Sequence, residues 1–332
     1  MTRLPSYDEL PRRSGLPCAW EVWQPDGDVL GCLNLLTPER ALAAARSVER
    51  GVTFPLNWTM GLPDPPLFGR TPFRHEVTGD ETTVGHDDVL HGWNTQSSSQ
   101  WDGFRHIRHP RVRDDEPGTG HFGGVDDSDH GIDHWARRGI VGRGVLADVG
   151  RWRDEQGRPL QHDEPDPVMP DELLACLADQ GTEVREGDVL LVRFGWISWY
   201  LEQDVEKRSW LSDRATFRSA GFHPGAELAR TLWNLHVAAI ACDNPGVEMW
   251  PRGSHLPADV AAAALADPRR VDEVFAHTVL LPMLGLPLGE MFFLDDLAAD
   301  CAADGRYDFL FTSAPLHLPR GVASPPNALA IK

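Results

Sequence analysis

GDVLLVRFGW, residues 187–196, is apolar at almost every position from Val189 onward. A short, continuously apolar run suits a strand covered on both faces, as in a parallel sheet flanked by helices; a half-buried strand would alternate. Its neighbours agree with that reading. Upstream, VGRGVLADVG (141–150) is a second such run, and PDELLACLADQ (170–180) places Leu173, Leu174 and Leu177 at helical spacing behind an acidic start. Downstream, HPGAELARTLWNL (223–235) reads as a helix leading into VAAIACDNP (237–245), a buried strand ending in Asp243. The helix PADVAAAALAD (257–267) comes next, then HTVLLPML (277–284) as a strand, a further apolar stretch at GEMFFL (289–294), and YDFLFTSAP (307–315) as the last strand. Helices alternating with buried strands give an α/β fold.

Residues 1–85 differ in character. They are rich in Pro, Gly and Trp and hold one clear helical patch, TPERALAAARSV (37–48), where Thr37 caps and Pro38 takes the first helical position. PLNWTMGLPDPPLFGR (55–70) cannot be regular structure, because proline fixes φ and removes donors. Such a segment serves as an arm on a partner subunit or as a pocket wall. The expected division is an irregular N-terminal extension, 1–85, and a single α/β domain, 86–332.

The chain has 332 residues, 41% of them hydrophobic, enough for a substantial core. Its net charge of -19 argues against nucleic acid or an anionic membrane surface as partner. The five cysteines, Cys18, Cys32, Cys176, Cys242 and Cys301, are widely spaced with no CxxC pair, which fits reduced buried thiols. MTRLPSYDELPRRSG at the start lacks the apolar core of an export signal, so a cytoplasmic location is expected.

Common catalytic signatures are missing. There is no phosphate-cradling glycine loop beyond GRG at 142–144 and no Gly-x-Ser-x-Gly elbow. Of the histidines, His75, His86, His91, His162 and His317 sit in polar, loop-like surroundings that suit the surface. His121, His130 and His134 lie in GTGHFGGVDDSDHGIDHWARRG (118–139), which lacks the ligand alternation of a calcium loop; His134 is the candidate there for contact with a ligand.

NTQSSSQWDGFRH (94–106) stands apart. Gln96 and Gln100 are four residues apart, and so are Asp102 and His106. The spacing resembles the pattern His-x-Gly-Thr-His-x-Asp-x-x-x-His of the cyclase-like metal hydrolases, a group that includes kynurenine formamidase and isatin hydrolase. Gln96 and Gln100 take the two histidine places, Ser97 to Ser99 the spacer, Asp102 the Asp and His106 the final His. SSSQWDGFRH resembles a branch of that family with Gln-Trp-Asp at this point. RGIVGRGVLADV, IACDNPGVE with Asp243, and HTVLLPMLGLPLGEMFFLDDL with His277 and Glu290 are similar to later family segments. The similarity covers roughly residues 50–330.

That resemblance implies a swivelling β/β/α fold, a homodimer or homotetramer, and a site near the subunit interface. It also implies hydrolysis of an amide, formamide or strained cyclic carbonyl by metal-bound water. Asp102, His277 and Glu290 would be the metal ligands, with Zn or Mn as the ion, and His106 the acid/base. The two glutamines depart from the pattern, because a carboxamide oxygen is a weaker donor to these ions than imidazole. Three outcomes stay open: a metal held by Asp102, His277 and Glu290 alone, a harder ion, or no metal. In the last case Gln96 and Gln100 donate to substrate carbonyls, and Asp102 and His106 form a proton-transfer pair.

Trp58, Trp93, Trp101, Phe104 and Trp196 are candidates for an apolar pocket, Trp101 and Trp58 foremost, and Arg143 or Arg70 could hold a substrate carboxylate. A core tryptophan and an ordinary ion pair are the commoner fates of such residues. The leading reading is a hydrolase of a carbonyl (amide, imide or lactone) in a small cyclic or aromatic substrate. The alternatives are a metal-independent cyclase or dehydratase using Asp102 and His106, and a non-catalytic relative that binds a small molecule.

Overall fold

Val189–Val192 is a strand buried at every residue, and it lies inside a nine-stranded sheet. The structure is a computed structural model that describes residues 3–23, 27–116, 118–124 and 129–332. In chain order the sheet strands are β1 Thr53–Pro55, β2 Gln100–Asp102, β3 Ile140–Ala147, β4 Val189–Val192, β5 Ala239–Cys242, β6 Leu288–Glu290, β7 Asp308–Ser313, β8 Ala323–Ser324 and β9 Ala328–Ile331. Across the sheet they run β8-β2-β6-β5-β4-β3-β7-β9-β1. The central four, β3 to β6, are mutually parallel, and every other pairing is antiparallel.

The apolar runs at 141–150, 187–196 and 237–245 supply three of the parallel strands. Their side chains are apolar on both faces because helices cover both faces. Ala226–Asn234 buries Leu228, Ala229, Leu232 and Trp233, and Pro170–Asp179 buries Leu173, Cys176 and Leu177. The N-terminal helix Pro38–Arg46 begins as its sequence indicates, with the Arg40 amide donating to Thr37 Oγ1 at 3.4 Å. This is the mixed α/β class expected from the sequence. All five cysteines are buried and free, and no helix among the described residues is long and apolar enough to cross a membrane.

One local expectation is corrected. HTVLLPML is not a strand: His277–Leu280 is a helical turn, closed by the Leu280 amide on Ala276 O (2.9 Å) and the Leu281 amide on His277 O (3.2 Å). A short apolar run bounded by no turn signal has no periodicity to separate a buried helix from a buried strand. In GEMFFL only the first two residues belong to a strand, because Met291 has φ +52° and turns the chain out of the sheet.

The N-terminal residues are joined to the rest of the fold. β1 closes one edge of the sheet, Tyr7, Leu10 and Leu33 enter the main core, and position 85/86 falls in the turn between the paired strands Arg74–Thr78 and Asp87–His91. The irregular segment 55–70 packs Trp58 and Leu67 into a second apolar cluster with Trp196, Tyr200 and Phe217, leaving Phe68 and Arg70 on a pocket wall.

His162 is a second correction: it is 8% exposed, with its ring centroid 5.6 Å from that of Trp199. Burial, helped by Arg193, pushes its pKa down to about 4. A histidine whose folded pKa lies below its unfolded value stabilises fully above the unfolded value, and that contribution is lost as pH falls from there toward the folded value. Between pH 6.5 and 4 the loss amounts to about 3 kcal/mol. Melting temperatures at pH 7.5 and pH 5 are expected to differ less in His162→Gln than in the parent, with His130, also lowered by burial, supplying part of the remaining slope. Identical slopes would remove His162 as the cause.

Candidate active site

The site grows from β2. Period-two alternation sends Gln100 and Asp102 to one face and Trp101 to the other. Pairing with β6 sets Glu290 opposite Gln100, Gly289 opposite Trp101 and Leu288 opposite Asp102. The three serines before the strand act as clamps. Ser99 Oγ accepts from the Trp58 amide (2.7 Å) and donates to Met291 O (2.5 Å), Ser98 Oγ donates to Thr59 O (2.9 Å), and Ser97 Oγ donates to Asn94 O (2.8 Å). After the strand, a turn closed by the His106 amide on Gly103 O (2.9 Å) brings His106 back over Asp102.

His277 arrives from its helical turn and completes a buried network with these residues. Its Nε2 lies 3.1 Å from Glu290 Oε1, and its Nδ1 lies 2.9 Å from both oxygens of Glu248. Gln100 Nε2 donates to Glu290 Oε2 at 2.6 Å, and Gln96 Nε2 donates to Asp102 Oδ1 at 2.7 Å. The same Gln96 nitrogen stands 3.3 Å from His106 Nδ1, which turns His106 Nε2 toward Asp102 Oδ2 at 3.9 Å. His277 Nε2 is also 3.9 Å from Asp102 Oδ2. Among the described residues neither Asp102 Oδ2 nor Gln100 Oε1 has a hydrogen-bond partner, although Gln100, Asp102, His277 and Glu290 are all buried.

Charge is concentrated here at high desolvation cost. Burial and the neighbouring Asp102 raise Glu290 to about 7. Burial works against protonating His277, yet the Glu248 and Glu290 carboxylates win and raise it to about 10. Burial lowers His106, with Asp102 only partly opposing, which favours the neutral ring.

Asp102, His277 and Glu290 bring one ligand atom each to within 4.8 Å of one another, a buried group that could hold a metal. The donors fit a divalent ion. Two carboxylates and an imidazole suit Zn²⁺ or Mn²⁺. Glu248 fixes His277 through Nδ1 so that Nε2 faces the site, the usual outer support of a metal-binding histidine. A buried carboxylate oxygen and a buried amide oxygen, both lacking donors, have a cation as their natural complement.

The residues singled out from the sequence divide into two groups. Gln96, Gln100, Asp102, His106, His277 and Glu290 meet at this point. Trp101 does not face it: the ring is fully buried, Nε1 donates to Ser313 Oγ at 2.9 Å, and the indole packs against Phe292 and Phe311. Trp58 packs edge-on against Trp196 and Tyr200, held behind the serine clamp. Arg143 forms ion pairs with Asp188 (2.7 Å) and Asp308 (3.1 Å), away from the site. His134 Nδ1 pairs with Arg137 in a different cleft. Of its stretch 118–139, positions 117 just before it and 125–128 within it lie outside the described residues.

A pocket of about 250 Å³ opens beside His106, His277 and Glu290, and its wall includes Phe68, Arg70, Trp250, Arg252 and Phe275. Phe275 stacks on the His277 ring at 4.7 Å and 16°, and the Arg252 guanidinium carbon lies 3.2 Å from the Phe275 ring centroid. Of these, Arg70 is marked by the sequence, and Phe68 falls in the segment 55–70 read as an arm or a pocket wall. Glu248 sits inside the quoted segment IACDNPGVE, but nothing in its spacing points to His277. Arg252, Phe275 and Trp250 carry no local signal at all.

A family model named Cyclase, with the description "Putative cyclase", matches residues 52–249, more than half of the chain. Among solved structures, one described as a novel cyclase superposes with a TM-score of 0.76 at 27% identity, covering 95% of this chain and 99% of that one. Isatin hydrolase A from Labrenzia aggregata, bound to benzyl benzoate, gives 0.53 at 19% identity, with 90% and 98% covered. An isatin hydrolase bound to the product analogue thioisatinate gives 0.56 at 16%, with 89% and 99% covered. The last two likenesses are of fold alone. No curated protein matches the chain.

Proposed function

We propose that this chain, which belongs to the cyclase family, is a hydrolase that opens an amide, imide or lactone carbonyl in a small cyclic or aromatic molecule. The observation that carries this is Asp102 Oδ2: a buried carboxylate oxygen without a partner, 3.9 Å from the Nε2 atoms of both His106 and His277, beside an aromatic-walled pocket. Asp102, His277 and Glu290 would hold the ion, Zn²⁺ or Mn²⁺, which when bound polarises a carbonyl and lowers the pKa of water.

The remaining work falls to side chains of the chain itself. Hydrolysis takes one proton from water and gives one to the departing nitrogen or oxygen. His106 Nε2 is the atom placed to pass that proton on. Burial favours the neutral ring, which is ready to accept, and Gln96, anchored on Asp102, fixes its rotation. Gln100 holds Glu290 from across the strand pair, and Glu248 holds His277, so both are oriented before substrate arrives. Phe68, Trp250 and Phe275 give the pocket an aromatic lining that suits a planar substrate.

A second reading rests on the same two glutamines. Their amide nitrogens already satisfy Asp102 Oδ1 and Glu290 Oε2, and His277 bridges two carboxylates, which gives a connected network with no ion. In that case Asp102 and His106 would run a metal-independent cyclisation or dehydration. Elemental analysis of protein purified without chelator or histidine tag separates the two. Near-stoichiometric Zn or Mn is expected, with turnover lost on chelation and restored by the ion. Turnover by metal-free protein, unmoved by chelators, would replace the first reading with the second.

A further inference from the structure

Acidic residues outnumber basic ones in this chain, 50 against 31, and most of its arginines pair with a carboxylate. Arg143, Arg153 and Arg193 each form such pairs, at 2.7, 2.8 and 2.7 Å. Arg70, Arg214 and Arg252 do not: among the described residues none of the three has a carboxylate within ion-pair distance, and all three line the pocket beside His106 and Glu290.

Each of them is braced by aromatic rings instead. Arg252 lies 3.2 Å from the Phe275 ring centroid and 5.0 Å from that of Trp250, and its Nε is buried without an acceptor. Arg214 stands 5.7 Å from the Trp250 ring. Arg70 stands 5.3 Å from Phe68 and donates to Gln96 O, which ties it to the same loop that carries the site. Burial disfavours the charged form of both Arg252, lowered to about 10, and Arg70. A guanidinium laid flat on a ring keeps its edge N–H donors free, the geometry that receives a carboxylate through two parallel hydrogen bonds. The three buried carboxylates nearby are engaged by His277, the glutamines and, on the reading above, a divalent ion, which leaves the arginine charge for the ligand.

We infer that the pocket selects a planar ring compound bearing a carboxylate in addition to the carbonyl that is hydrolysed, with Arg252 as its main contact and Arg70 and Arg214 assisting. This rests on the hydrolase reading for the second carbonyl only; recognition of the anion is separable from turnover.

The test is calorimetric titration of the purified protein with phthalate, benzoate and neutral benzamide at fixed ionic strength. Phthalate and benzoate are expected to bind more tightly than benzamide. Arg252→Gln is expected to weaken phthalate by about 10- to 100-fold while leaving benzamide within about 2-fold. Arg252→Lys, which keeps charge but loses the flat fork, should restore only part of the loss. Arg214→Gln, at an exposed position, gives a smaller loss of the same selectivity without risk to the fold. Equal affinity for phthalate and benzamide would overturn the inference, as would an equal loss of both probes in Arg252→Gln. Arginine-dependent carboxylate binding in protein that turns over no carbonyl substrate would keep the inference and sink the hydrolase reading. Turnover with no carboxylate preference would do the reverse.

Discussion

His106→Ala is expected to lower kcat by about 10²- to 10⁴-fold, the range for loss of a positioned proton-transfer group, with little change in melting temperature. The asymmetry follows from its surroundings. The His106 side chain is 24% exposed, its polar neighbours are Gln96 at 3.3 Å and Asp102 Oδ2 at 3.9 Å, and Asp102 keeps Gln96 and His277 beside it when the ring is removed. His277 is the opposite case: it bridges Glu248 and Glu290, and its removal would leave two buried carboxylates without their cation. Steady-state rates on a panel of cyclic imides, lactams and lactones, alongside thermal melts, would measure both. Turnover within about threefold of the parent would take the proton transfer away from His106.

Asp102→Asn is expected to cost activity on the same scale as His106→Ala while leaving the fold as stable as before or more so. Asparagine has the same shape but is a far poorer ligand for a divalent ion. Bound metal should fall well below stoichiometric, and kcat should drop by about 10³-fold, the equivalent of several kcal/mol of lost electrostatic assistance. Stability should hold or rise. Asp102 is fully buried, raises the pKa of Glu290 by its proximity, and shares one imidazolium with two other carboxylates, so neutralising it relieves repulsion. Metal analysis, kinetics and melting curves on one preparation give all three numbers. An asparagine variant that keeps its metal and its rate would place the ion elsewhere.

What the sequence could disclose follows the range over which the physics acts. Continuous apolar runs reveal buried strands, because covering both faces demands apolar residues at consecutive positions; β3, β4 and β5 are legible for that reason. The run at 277–284 is equally apolar and forms a helical turn, since full burial erases the periodicity that would distinguish them. In the site, Gln96, Gln100, Asp102 and His106 are legible because one loop and one strand carry them all. His277 and Glu290 lie more than a hundred residues further on and come to light only through a family resemblance. Glu248, Arg252 and Phe275 are invisible beforehand, because their roles exist only once β5 and β6 have paired and the chain has returned past His277. Trp101 shows the reverse failure: its position between Gln100 and Asp102 suggests a role in the site, and strand alternation sends it to the core.

The three-residue strand β2 also bears on how this protein can evolve. Its register against β6 and β8 decides what faces the pocket, so a one-residue slip of the strand, as from an insertion or deletion between the serine clamp and Gln100, would exchange Gln100 and Asp102 for Trp101 and silence the site in one event. Replacement at a position costs far less. Glutamine and histidine codons differ by one base, and positions 96 and 100 keep their places whichever residue fills them. The lineage can therefore travel between amide and imidazole chemistry by point mutation, over a backbone that cannot tolerate a change of length.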